Sequence, residues 1–175
     1  MKFLNCFVVL TILIATGSFI SAQAFSSKPA EENKGVVTQA KERRVQLAPY
    51  ATVILPANYK AYRTGGRIDY WFGYIESEDG SFRINYLAGM VESAVKDEKE
   101  FQWLKEEKLS KLSLLYGRKS TKEGDMVAAE IGWTNFTTKI KNDNDIGVFL
   151  KIVRTYKQKP CEKCEPALYV PSSEN

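Results

Sequence analysis

Apolar and polar residues in the middle of the chain alternate with a period close to two, the rhythm of half-buried strands rather than of helices. Residues 50–55, YATVIL, form a first such run, ended by Pro56 and a turn at Ala57-Asn58. Gly65-Gly66 marks a second turn. The stretch 67–89, RIDYWFGYIESEDGSFRINYLAG, then sets two β-rich runs on either side of Asp79-Gly80, a dipeptide that favours a two-residue type I′ hairpin loop. Such a loop fixes the register, because facing residues must have numbers summing to 159. Glu76 then meets Arg83, Ile75 meets Ile84, Tyr74 meets Asn85, Gly73 meets Tyr86 and Phe72 meets Leu87. An opposite-charge pair and an aromatic ring across a glycine are both favourable cross-strand partners.

The same alternation sorts the hairpin into two faces. Trp71, Gly73, Ile75, Phe82, Ile84, Tyr86 and Ala88 make an apolar face, the predicted core side, with Asp69 at its fraying end. Tyr70, Phe72, Tyr74, Glu76, Arg83, Asn85 and Leu87 make the other. Residues 90–108 place apolar groups at Met90, Val91, Ala94, Val95, Phe101 and Leu104 with charges between them, which predicts a helix, although Trp103 falls off the stripe. Residues 111–117, 126–133 and 136–140 read as strands; in the second, Val127, Ala129, Ile131 and Trp133 share one face. A final helix is expected where Ile146, Phe149, Leu150 and Val153 recur at helical spacing. Asn142-Asp143-Asn144-Asp145 supplies its N-cap and negative charge at the positive end of the helix dipole, and Lys151, Arg154 and Lys157 suit the other end. Strands interrupted by one helix and closed by another predict an α+β fold: a single, largely antiparallel, twisted sheet with one or two helices packed on a face.

The chain opens with Lys2 and an apolar run, residues 7–15, followed by small and polar residues up to Ala22-Gln23-Ala24. That order predicts a secretory signal peptide cleaved after Ala24. The run is shorter than the roughly 20 apolar residues a spanning helix needs, so no stable membrane insertion is expected after cleavage. Residues 25–44 are polar and predict a flexible leader, residues 45–156 one folded domain, and residues 157–175, with Pro160, Pro166 and Pro171, a tail. The succession LPANYK, DYWFGYIESEDGSFRINYLAG and DIGVFLKIVRTY resembles a diffuse group of secreted bacterial proteins to which no function is assigned. The resemblance implies the fold and an exported location, periplasmic or extracellular, and implies no activity.

Composition narrows the chemistry further. The chain carries 25 Lys and Arg against 21 Asp and Glu, and of these only Lys2 lies in the signal, which leaves a mature net charge of +3. The signs are interspersed, as in Lys105-Glu106-Glu107-Lys108, without the basic stripe that a nucleic-acid partner requires. Histidine is absent from all 175 residues. That removes Ser-His-Asp and Cys-His nucleophile activation and every histidine-liganded zinc, haem or copper site, and no cofactor or metal is expected.

Three sets of residues remain as candidates. Cys161 and Cys164 follow the last helix instead of opening one, and Glu162 and Glu165 oppose thiolate formation, so a thiol-disulfide carrier is disfavoured. Two thiolates fall short of the four ligands of structural zinc, and outside the cytoplasm such a pair is expected as a disulfide clasp. Tyr70, Phe72 and Tyr74, flanked by Glu76, Arg83 and Asn85, would form a stacking platform for a glycan or a protein if their face were open. The expectation is that the terminal helix buries its stripe on that face and covers it, because large exposed apolar patches are uncommon. Asp69, Glu92 and Glu130 could supply carboxylates to a hydrolase of envelope polysaccharide, which needs two of them at a defined separation. Asn135-Phe136-Thr137 matches a glycosylation acceptor and carries no weight in a bacterial protein. The reading these features favour is a non-enzymatic exported domain that binds an unidentified envelope protein or glycan.

Overall fold

The structure, a computed structural model, describes residues 41–95 and 98–171. The expected signal peptide and the leader up to residue 40 lie outside the described residues. Eight strands form one large sheet and three short ones a second. In chain order the strands are β1 (Arg43–Ala48), β2 (Ala51–Leu55), β3 (Tyr59–Gly66), β4 (Tyr70–Ser77), β5 (Arg83–Gly89), β6 (Trp103–Leu109), β7 (Leu112–Thr121), β8 (Gly124–Ile131) and β9 (Thr134–Lys139). They are followed by helix α1 (Asp143–Val153) and the two-residue strands β10 (Glu165–Pro166) and β11 (Leu168–Tyr169). The large sheet runs β11-β3-β4-β5-β9-β8-β7-β6 and is antiparallel except where β11 joins β3; the small sheet runs β10-β1-β2. The fold is therefore α+β with strand dominant, and it holds two sheets where one was expected.

Every predicted pair of the β4–β5 hairpin is present, from Phe72 opposite Leu87 to Glu76 opposite Arg83. The loop that produces this register is not the expected one. Ser77 and Phe82 still pair through Ser77 N–H to the Phe82 carbonyl (3.0 Å), so four residues rather than two make the turn. Gly80 is left-handed (φ 68°), whereas Asp79 is not, and a type I′ turn needs both. Asp79 instead accepts hydrogen bonds from the Ser77 and Ser81 hydroxyls (2.6 and 2.8 Å). Both loops are centred on the same point, which is why the register is the same.

The inner face of the large sheet carries the main core. Ile75, Ile84, Tyr86 and Ala88 are buried there with Val127, Ala129, Ile131, Leu114 and Phe136, and the β1–β2 hairpin adds Val45, Leu47, Val53 and Leu55. Gly73 is required at this layer, since a Cβ would strike the Tyr62 carbonyl and the Tyr86 hydroxyl. Burial pushes the Tyr86 phenol well above its ordinary range, and it donates to that carbonyl (3.1 Å). Trp133 does not continue the Val127-Ala129-Ile131 face: with Gly132 (φ 59°) it forms the two-residue loop between β8 and β9 and stands exposed.

Helix α1 forms where its sequence demands. Asn142 caps it by accepting from the Asn144 and Asp145 backbone N–H groups, and Asp145 reaches back to the Asn142 N–H. Phe149, Leu150, Ile152 and Val153 are buried in the main core, so the helix packs on the inner face. The expectation that it covers Tyr70, Phe72 and Tyr74 is overturned: the β1–β2 hairpin and the inner sheet already offer the apolar surface its stripe needs.

The expected helix over residues 90–108 is also absent. A single 3-10 turn (Glu98–Glu100) precedes β6, an edge strand paired with β7. Trp103, the residue that broke the helical stripe, lies edge-on to Tyr116 on the inner face of the sheet (5.9 Å, 85°). The described residues between Gly89 and β6 form a strap over the outer face of β9, β8 and β7. It is anchored by Asn135, whose side chain accepts from the Ala94 N–H (3.1 Å) and donates to the Glu92 carbonyl (2.6 Å), and by Ser93, which bonds Glu130. Phe101 lies over Gly117, where a Cβ would collide with it. Val95 and Ala128, almost fully buried yet outside the main core, mark a second small core beneath the strap.

Residues 157–171, expected as a tail, are knitted into both sheets. Lys157 and Thr52 exchange backbone hydrogen bonds (2.9 and 3.1 Å). Strand β10 then runs parallel to β1 and β11 parallel to β3, so five consecutive residues join the small sheet to the large one.

Candidate functional site

Tyr70, Phe72 and Tyr74 lie on the outer face of the large sheet, where no described helix covers them. Tyr62 on β3 stacks on Tyr74 (4.8 Å between centroids, 27°), and Tyr70 stacks on Phe72 one step along β4 (6.1 Å, 25°). Arg83 on β5 lies over the other face of Tyr74 (4.2 Å) while its guanidinium grips the Glu76 carboxylate (2.7 and 3.0 Å). Both faces of the Tyr74 ring are thus occupied, which makes Tyr74 a support rather than a contact. Phe72 sits across from Gly65, where a Cβ would collide with its ring, and is 36% exposed. Asn85, beside Tyr74 in the register, is exposed as well. This half of the outer face, β3-β4-β5, is what the strap leaves uncovered.

The three candidate carboxylates are not gathered into one buried pair. Glu130 is half-buried and holds the strap through Ser93; Glu92 is exposed and lines the same shallow depression beside Asn135. Asp69 stands in the β3–β4 turn and lines a different cleft. Asn135, the acceptor-motif residue, is buried with its amide engaged at both ends. Among the described residues no group of three or more cysteines and acids could hold a metal ion. Cys161 and Cys164 are joined by a disulfide just before β10.

A cleft that sequence reading missed lies at one end of the molecule. The tip of the β1–β2 hairpin, the β3–β4 turn, the residues after β5 and the β8–β9 turn converge there around about 170 Å³. Trp71 and Ala88 line it from the sheet, and Tyr156 adds a ring that meets Phe136 edge-on and takes a hydrogen bond from Thr134 (3.0 Å). Its rim carries Tyr50, Ile68, Met90 and Trp133, which are 57, 98, 78 and 62% exposed. Each of these sits singly in a turn or at a strand end, where no periodicity marks it. The signal that could have pointed there is large apolar residues in four separate loops, where polar ones are usual.

No family model, curated protein or solved structure matches the chain.

Proposed function

We propose that the chain is an exported, non-enzymatic binding domain that holds an envelope glycan against the open aromatic half of its large sheet. The observation that carries this reading is the placement of α1 on the inner face, which leaves Phe72 free to stack on a sugar ring with Asn85 beside it. Tyr74, held between Tyr62 and Arg83, keeps the platform flat, and the Arg83–Glu76 pair offers hydrogen bonds at its border. Export is supported by the apolar N-terminal run with its Ala22-Gln23-Ala24 ending, by the resemblance to secreted bacterial proteins, and by the disulfide. No described helix is long and apolar enough to cross a membrane.

The test is retention of the mature chain on purified peptidoglycan sacculi, compared with Phe72→Ala. Losing one stacking ring should weaken binding about tenfold, the equivalent of roughly 1.4 kcal/mol, with the thermal transition kept. Unchanged retention by a folded Phe72→Ala variant would remove the platform from the function. Retention of neither protein, with recovery of an envelope protein instead, would move the ligand from glycan to protein. A polysaccharide hydrolase remains the alternative, supported by Glu92 and Glu130 lining one depression. Release of soluble sugar from the sacculi, abolished by Glu92→Gln, would favour it. A thiol-disulfide carrier has less support, because the pair sits in a segment built into both sheets.

A further inference from the structure

We infer that the cleft at the end of the molecule binds a compact aromatic group bearing a protonated amine. The inference stands apart from the glycan platform, which lies on the outer face and shares none of the residues used here.

The size sets the first limit. A cleft of about 170 Å³ is close to the roughly 150 Å³ of an apolar cavity that admits a single benzene ring, and well below the space a drug-sized ligand occupies. One ring with a short tail fits; a long acyl chain does not. The walls set the second. Trp71 and Trp133 bring two indoles to the same cleft, and Met90 and Ile68 add apolar surface. Aromatic rings favour offset or edge-on stacking with another ring, and indole is the side chain that best attracts a cation. Charge sets the third. Asp69 is the one charged residue among the described residues lining the cleft, so an ammonium is favoured there and a carboxylate disfavoured.

The cleft is also held open by backbone bonds and does not depend on a ligand to form. The Gly89 N–H donates to the Trp133 carbonyl (2.8 Å), tying the end of β5 to the β8–β9 turn. The Met90 N–H donates to the Asp69 carbonyl (3.1 Å), tying the same segment to the β3–β4 turn. Gly89 (φ 131°) makes this lacing possible, since a Cβ there would strike the Asp69 carbonyl. Four exposed apolar side chains on a rim fixed in this way are a standing cost to solubility that ligand binding accounts for.

The experiment uses the three tryptophans of the mature chain, Trp71, Trp103 and Trp133, whose indole N–H resonances are assigned by single replacement with Phe. Titration with phenethylamine should shift the Trp71 and Trp133 signals saturably and leave Trp103, which lies outside the cleft, in place. Affinity should be near millimolar, as befits about nine heavy atoms. Phenylacetate should bind up to about fivefold more weakly, the effect of one exposed charge pair. Trp133→Ala and Met90→Ala, both on the exposed rim, should each weaken binding at least about fivefold with the thermal transition retained, while Phe72→Ala should leave it unchanged.

The same chemistry has two sources, a free arylalkylamine or the chain's own N-terminus, which begins with Phe25 if cleavage follows Ala24. Were the second the native occupant, Phe25→Ala would shift the Trp71 and Trp133 signals without ligand and tighten phenethylamine binding. A linear, unsaturated response, or equal shifts at all three indoles, would overturn the proposal. Equal binding of phenylacetate would overturn its charge selectivity. Signal broadening that depends on protein concentration, with no response to phenethylamine, would assign the rim to a second copy of the chain and overturn the ligand.

Discussion

Asp79 does more for the β4–β5 loop than a turn residue needs to. The Ser77 hydroxyl first, then the Ser81 N–H and hydroxyl, donate to its carboxylate and draw its pKa down to about 2. A carboxyl with a depressed pKa in the fold adds stability that is complete above the value in the unfolded chain, about 4, and is lost as pH falls through that value towards about 2. Asp79→Asn should therefore unfold at lower urea than the parent at about pH 5 and converge with it at about pH 2. A constant gap between the two across that range would show that the carboxylate charge contributes nothing. Asp79-Gly80 was legible in the sequence as a turn and as the centre of the register; its hydroxyl partners were not, because a dipeptide signal is blind to the serines that surround it. Tyr74 shows the same limit. Its side of the sheet follows from alternation, but the Arg83 guanidinium on one face and Tyr62 on the other depend on β3, whose pairing no local pattern gives.

At the scale of elements, the strap between β5 and β6 sets the border of the open platform, and Asn135 is its main anchor. Asn135→Ala removes an acceptor from the Ala94 N–H and a donor to the Glu92 carbonyl beneath a buried position, and should cost about 2 kcal/mol. Amide exchange should quicken at Ala94 and Val95 while Ile75 and Ile84 on the inner face stay protected. Uniform loss of protection would mean that strap and sheet open as one unit. This element was misread as a helix because its apolar residues are spaced irregularly and its backbone is satisfied by side chains some forty positions downstream, roughly the range at which pattern reading fails. Helix α1, in contrast, was legible down to its cap, since Asn142, Asp145 and the buried stripe are all local. The β-rich runs were likewise correct as elements. Trp133 was placed in its strand but lies two residues past the strand's end, in what is a glycine-led loop.

For the whole molecule, the segment after α1 decides whether there are two sheets or one continuous wrap. The disulfide closes a loop of four residues, worth at most about 2 kcal/mol in chain entropy, directly ahead of the bonds from Ala167 N–H to Gln46 and Val170 N–H to Arg63. Cys161→Ser with Cys164→Ser should lower stability by no more than that and quicken exchange at Ala167 and Val170 ahead of β4 and β5. Unaltered protection there would assign the attachment to strand pairing alone. Three prolines made this stretch read as a tail; parallel pairing of two-residue strands leaves no periodicity to find. Leu168 meets Tyr62, and Glu165 meets Val45, each roughly a hundred positions upstream, so the seam between the sheets is among the most distant and slowest contacts to form. Every other described strand precedes this stitch in the chain, so until residues 165–169 are free to pair, the β1 and β3 borders stay unsewn.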